Sequence, residues 1–231
     1  FFLSTAADNG ALSFKSFVFI LLCMVLARSA AMAFNRYLDK DIDASNPRTV
    51  KREIPAGIIK PRHALTFVIL NCILFCVVCY FINPLCLSLA PVALLVVLGY
   101  SYTKRFTALC HLVLGLGLSL APIGAYLAVT GYFSLLPILF SFIVLFWVSG
   151  FDIIFALQDE EFDRSKNLNS IPAWLGKKGA LNFSRILHIL SAAFVIGAGI
   201  YGHFGKLYII GALFFIFFLI YQHKLVKPTD L

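Results

Sequence analysis

Seven long apolar runs constrain this chain more than any other feature, at about 14–38, 64–82, 86–103, 110–130, 135–157, 186–201 and 207–223. A helix rises about 1.5 Å per residue, so roughly 20 apolar residues cross about 30 Å of bilayer hydrocarbon. Most of the runs approach that length; those at about 86–103 and 186–201 are short. They are continuously apolar rather than alternating, which argues against a β-barrel. Charged residues make up 13% of the chain and its mean hydropathy is +0.91, where a soluble domain carries about 25% charge. The expected fold is all-α, a polytopic transmembrane helix bundle forming one domain over residues 1–231.

A net charge of +8 raises the question of a nucleic-acid partner, but the position of the charge argues against one. Of 19 Lys and Arg, 15 lie in segments 39–63, 104–109 and 159–185 or after residue 223. Seven alternating crossings put those segments on one side, while the opposite loops, near 83–86, 131–134 and 202–206, contribute only Lys206. This is the positive-inside pattern. A multi-pass protein of the cell inner membrane, with its working face cytoplasmic, is expected. The basic excess also attracts anionic headgroups or substrates. Cys72, Cys76 and Cys79 share a helical face, yet that helix carries no carboxylate among them, so they read as small buried hydrophobes. The five histidines show no metal-protease spacing, and neither residue type is expected to be catalytic.

The acids are concentrated. Nine of eleven fall into two short regions: Asp39, Asp41, Asp43 and Glu53 after the first run, then Asp152, Asp159, Glu160, Glu161 and Asp163 at the end of the fifth. Asn35, Asp39 and Asp43 are spaced by four, as are Asp159 and Asp163, and such residues stack along one helical face. Arg28 and Asp152 continue the two ridges two turns deeper, where a charge costs about 2.5–3.5 kcal/mol and normally faces a cavity or a partner. Acids at helix C-termini meet an already negative dipole end, a penalty that a bound cation would remove. Hard oxygen ligands favour Mg²⁺ or Ca²⁺. Mg²⁺ takes one or two carboxylates and completes its shell with water and phosphate, so two opposed acid ridges are expected to hold Mg²⁺ that clamps a diphosphate. Arg48 in "NPRT", Lys104 and Arg105 in "YSYTKRFT", and Arg164 and Lys166 in "DRSKNLNSIP" are candidates to stabilise its departing charge.

These residues resemble the UbiA family of intramembrane aromatic prenyltransferases. The Asn-x-x-x-Asp-x-x-x-Asp pattern is matched by Asn35, Asp39 and Asp43, and the Asp-x-x-x-Asp pattern by Asp159 and Asp163 within "FDIIFALQDEEFD". The string "YSYTKRFT" and the "SIP" at Ser170–Pro172 are similar too. The resemblance implies a bundle around a central cavity with a cytoplasmic cap. It also implies about nine spans, so this chain, which opens at Phe1 rather than Met, is expected to be a fragment lacking the first and last helices. Arg36 stands where many members carry Asp, and with "NPRTVKREIPAG" it resembles members of menaquinone synthesis.

The resulting expectation is Mg²⁺-dependent transfer of a polyprenyl group from polyprenyl diphosphate to a small aromatic acid such as 4-hydroxybenzoate, in ubiquinone or menaquinone biosynthesis. Asn35, Asp39, Asp43, Asp159 and Asp163 are the expected metal ligands, and Arg48, Lys104, Arg105 and Lys166 the diphosphate-binding residues. Asp152 is a catalytic candidate, as a buried base or a hydrogen-bonding partner. Arg28 is another, pairing with an acceptor carboxylate or supporting Asn35. A dihydroxynaphthoate is the alternative acceptor. An alcohol phosphotransferase of phospholipid synthesis is disfavoured by the absence of its glycine- and alanine-spaced Asp motif. A transporter or ion channel is the alternative class, and it would place acids nearer the membrane midplane.

Overall fold

The computed structural model describes residues 13–226. Phe1, where the chain opens, and Lys227, one of the basic tail residues, lie outside them. All secondary structure among the described residues is helical. The order is α1 (Phe14–Leu38), α2 (Lys40–Ser45), α3 (Pro61–Ile82), α4 (Pro84–Thr103), α5 (Cys110–Thr130), α6 (Leu135–Ala156), a 3₁₀ turn (Leu157–Asp159), α7 (Glu160–Ser165), α8 (Ile171–Tyr201) and α9 (Lys206–Leu225). Seven segments among the described residues are long and apolar enough to cross a membrane. Few of their side chains are buried, and many Phe, Leu and Ile are exposed. A solvent of lipid tails tolerates this, because such helices associate through packing and hydrogen bonds rather than by hiding from water. The chain is an integral membrane protein.

Six of the seven spans sit where the apolar runs predict, within a few residues. The exception is α8, expected near 186–201 and found over Ile171–Tyr201. Its first half carries Lys177, Lys178 and Arg185, which hide it from a hydropathy reading. Its start has a local cause: the Ser170 hydroxyl accepts the Ala173 N–H at 3.3 Å, and Pro172 stands in the first turn, where its missing N–H costs nothing. Gly176, at φ 70° and ψ 170°, interrupts this helix, a conformation that glycine adopts without steric cost.

The helices fall into two compact units, residues 1–102 with 124–132, and residues 103–123 with 133–231. In the first, α1 packs on α3. The Asn83 side chain ties the α3–α4 turn together, donating from Nδ2 to the Leu127 carbonyl at 2.9 Å and accepting the Cys86 N–H at 2.8 Å. In the second, α6 packs on α8 through small and hydroxyl residues. Ser184 donates to the Gly150 carbonyl at 2.7 Å and Ser191 to the Ile143 carbonyl at 3.0 Å. Seven residues apart, the two serines lie on one face of α8 and bring the backbones close, as in other membrane helix pairs. Ile153, Ile154, Leu157, Ile171, Ala180, Leu181 and Leu187 form the core beneath the second acidic region.

Candidate active site

In the first unit the acids follow a helix that stops and restarts. Asp39 closes α1 and opens α2, with φ −91° and ψ 6°. The backbone stays tightly wound there, since the Asp39 N–H reaches the Asn35 carbonyl at 2.9 Å and the Asp43 N–H the Asp39 carbonyl at 2.7 Å. The Asn35 Nδ2 donates to Asp39 Oδ2 at 3.1 Å and lies 3.5 Å from Ser101 Oγ. That orientation leaves the amide oxygen of Asn35 clear of any hydrogen bond among the described residues. Asp39 is buried.

Asp43 is engaged differently. Nη1 of Arg52 donates to both of its carboxylate oxygens, at 2.8 and 2.9 Å, and Thr49 donates to its backbone carbonyl at 3.2 Å. A metal ion reaching Asp43 therefore competes with Arg52. Asp41 points outward beside Lys40, and Arg36 lies 3.9 Å from Glu53. Arg28 is exposed on α1, and the described partners of Asn35 are Asp39 and Ser101, not Arg28. Arg48 is exposed, its backbone N–H held by Asn46 Oδ1 at 2.9 Å.

The second unit brings together residues from three parts of the chain. Asp159 closes the 3₁₀ turn and opens α7. Asp163 accepts a hydrogen bond from Ser170 and lies within electrostatic reach of Asp159, Lys104 and His111. The Lys104 carbonyl accepts the Asn169 N–H at 2.8 Å, fastening the 104–109 loop to the segment after α7. Two turns below Asp159, the Asp152 carboxylate meets His111 Nδ1 at 2.7 Å. Arg164 pairs with the buried Glu160 at 3.0 Å, while Arg105 and Lys166 are exposed.

Contrary to expectation, the acids beyond Asp39 do not end long helices. Asp41 and Asp43, like Glu160, Glu161 and Asp163, occupy the first turn of a new short helix, where negative charge is favoured. The dipole therefore supplies no reason for a cation. The donor set does. Among the described residues no three His, Cys, Asp or Glu side chains gather closely enough to cage a metal. Asn35 with Asp39, and Asp159 with Asp163, instead offer two hard oxygen groups each. That suits Mg²⁺, which takes one or two carboxylates and leaves the rest of its shell to water and phosphate, better than the fuller cages of Ca²⁺ or structural Zn²⁺.

Two participants escaped the sequence reading, Arg52 and His111. Both had a signal: Arg52 lies nine residues after Asp43 in a basic string, and a carboxylate inside a span, Asp152, requires a partner.

A profile of the UbiA prenyltransferase family matches residues 1–231. The chain belongs to that family. A protein of Shewanella piezotolerans named 4-hydroxybenzoate octaprenyltransferase is 29% identical to it over 221 residues, covering 95% of this chain and 76% of that one. The apo structure of a UbiA homologue from Aeropyrum pernix K1 superposes with a TM-score of 0.90 at 31% identity, over 96% of this chain and 84% of the other. A UbiA homologue from Archaeoglobus fulgidus, solved bound to DMAPP and Mg²⁺, shares the fold at a TM-score of 0.76 and 19% identity, over 93% and 76% of the two chains. As a UbiA protein, this chain is a prenyltransferase.

Proposed function

We propose that this UbiA protein transfers a polyprenyl group from its diphosphate to an aromatic acid of the 4-hydroxybenzoate type, at the cytoplasmic membrane face and with Mg²⁺. The observation that carries the reading is the donor set just described: paired hard-oxygen side chains, too few for a closed metal cage, on a UbiA fold. The relative's name supplies the acceptor class, and the Archaeoglobus complex the diphosphate and the metal.

Asn35, Asp39, Asp159 and Asp163 are the residues that would hold Mg²⁺, with Asp43 joining them only after Arg52 lets go. Magnesium, when bound, neutralises diphosphate charge and makes it a better leaving group. Lys104 lies within electrostatic reach of Asp163 and, with Arg48, Arg105 and Lys166, draws on the developing negative charge. Carboxylates alone would repel that anion. Asp152, about 10 Å farther along the helix axis from Asp159, lies at the depth of the reacting carbon when the diphosphate head is at the acid motifs. There it accepts the proton that the ring loses. Arg28 pairs with the acceptor's carboxylate.

The test offers the protein, reconstituted in vesicles, 4-hydroxybenzoate and a dihydroxynaphthoate with mixed prenyl diphosphates, and reads the products by mass spectrometry. Prenylated 4-hydroxybenzoate is expected. Prenylated naphthoate would shift the acceptor to the reading that Arg36 and "NPRTVKREIPAG" favour. Asp39→Asn and Asp159→Asn should each lower transfer by about a hundredfold or more while the helical spectrum is kept. No product from any pair, or cation flux without transfer, would overturn the proposal.

A further inference from the structure

We infer that His111 is the positioning residue of the reaction: it holds the Asp152 carboxylate in place to receive the ring proton. The inference rests on the proposed transfer and on the role given there to Asp152, and it extends that site by a residue from a different helix.

Three observations converge. The first is contact. His111 Nδ1 lies 2.7 Å from Asp152 Oδ2, and because an ionised carboxylate only accepts, the imidazole Nδ1–H donates. The second is asymmetry of burial. The His111 side chain is 5% exposed and that of Asp152 is 30% exposed, so the histidine is the fixed member and the carboxylate keeps an accessible side. The third is that His111 Nε2 is buried without a hydrogen-bond partner among the described residues. With Nδ1–H committed to Asp152, the buried Nε2 has no hydrogen bond among the described residues that would pull the ring away from the carboxylate.

Packing fixes the ring as well as the proton. His111 stands in the first turn of α5, where the 104–109 loop enters the helix. The neighbouring Cys110 Sγ donates to the Asn169 carbonyl at 3.5 Å, and the Lys104 carbonyl accepts the Asn169 N–H. The loop that carries Lys104 and the segment that follows Asp163 are thus fastened to each other beside the His111–Asp152 bond. A carboxylate on α6 that only needed neutralising could take any cation. This one is oriented from a second helix by a donor that is itself buried.

In the step it serves, the donor's C–O bond breaks with its electron pair going to diphosphate. The ring's π pair forms the new C–C bond, and the C–H electron pair restores aromaticity as the proton passes to Asp152 Oδ1. Oδ2 stays bound to His111 throughout, and no electrons are exchanged with an outside reagent.

The test uses the full chain in vesicles and compares His111→Ala, His111→Asn, His111→Gln, Asp152→Asn and the double variant His111→Ala/Asp152→Asn. The Asn amide nitrogen falls near the position of Nδ1, whereas that of Gln falls near Nε2. Loss of one hydrogen bond to a charged group predicts a kcat lower by about ten- to a hundredfold for His111→Ala. His111→Asn should recover most of it and His111→Gln little. The double variant should be no slower than Asp152→Asn alone, as expected for groups acting as one unit. Half-saturation by prenyl diphosphate should stay within about twofold, because the diphosphate residues are untouched. The inference is overturned if His111→Ala keeps wild-type kcat, if Gln rescues as well as Asn, if the two single losses multiply, or if prenyl-diphosphate half-saturation moves in step with kcat. A wild-type protein inert with every acceptor would instead sink the transfer reading itself.

Discussion

Replacing Arg52 with methionine tests what the ion pair at Asp43 does. The Asp43 side chain is 5% exposed and the Arg52 side chain 27% exposed, so the substitution strands a nearly buried carboxylate while taking away a partly wetted cation. Removing one partner of a fully buried pair costs about 3–5 kcal/mol, and a single hydrogen bond to a charged group is worth about 1.5–3 kcal/mol. One nitrogen serves both carboxylate oxygens here, and Arg52 is not fully desolvated, so the lower scale applies, about 2 kcal/mol. The cost falls on the segment after α2. The rest of that segment is held by weaker contacts, among them the Thr49 hydroxyl on the Asp43 carbonyl at 3.2 Å, the Arg36–Glu53 pair at 3.9 Å and turn hydrogen bonds such as Ala56 N–H to the Arg52 carbonyl at 2.9 Å. Hydrogen exchange of the amides from 43 to 60, read in lipid nanodiscs, should therefore lose about thirtyfold in protection, with the spans unchanged. Arg52→Lys should fall between, since an ammonium can still reach one oxygen. A magnesium titration of transfer adds the functional half. If Asp43 serves as an anchor, Arg52→Met raises the half-saturating magnesium concentration; if Asp43 is a ligand held in reserve, the same change lowers it. Unaltered exchange in Arg52→Met would refute the stability reasoning outright.

Gly150→Ala should lower the thermal midpoint in detergent by several degrees. An added Cβ would stand 2.5 Å from the His188 ring and 3.2 Å from the Ser184 carbonyl, an overpacking of about 1–3 kcal/mol; an unchanged midpoint would show that α6 and α8 can separate at little cost. Cys72→Ala and Cys76→Ala together should leave prenyl transfer and its magnesium dependence intact, because neither thiol touches the acid motifs. A loss of activity on that double replacement would return the cysteines to the list of functional residues.

What the sequence made legible follows from what each signal measures. Apolar runs report contact with lipid, and they located α1, α5 and α6 almost to the residue. They could not locate the start of α8, because its first turns carry Lys177, Lys178 and Arg185 and lie beyond the apolar stretch. Capping chemistry at Ser170 and Pro172 marks that start instead. The same limit explains the misplaced dipole argument. A four-residue step shows that Asn35, Asp39 and Asp43 share a ridge, but it does not reveal that the helix restarts at Asp39, since the hydrogen-bond spacing is almost unchanged across the break.

Spacing describes one element at a time, and the chemistry of this site is made between elements. Asp152 was conspicuous because a carboxylate within a span is costly, yet its partner lies 41 residues earlier on another helix. Nothing in the local pattern around His111 distinguishes it from His188, which is also buried inside a span but is bound to His223 at 2.8 Å. The difference is geometric: one imidazole faces a carboxylate and the other faces a second imidazole. A cost read from sequence can therefore say that a compensating group must exist, and only the packing of α5 against the end of α6 says which one it is. Arg52 obeys the same logic at shorter range. The sequence marked Asp43 as a metal ligand, and the fold of the segment after α2 brings the Arg52 guanidinium within 2.8 Å of it. That contact sets the terms on which any metal ion would have to compete.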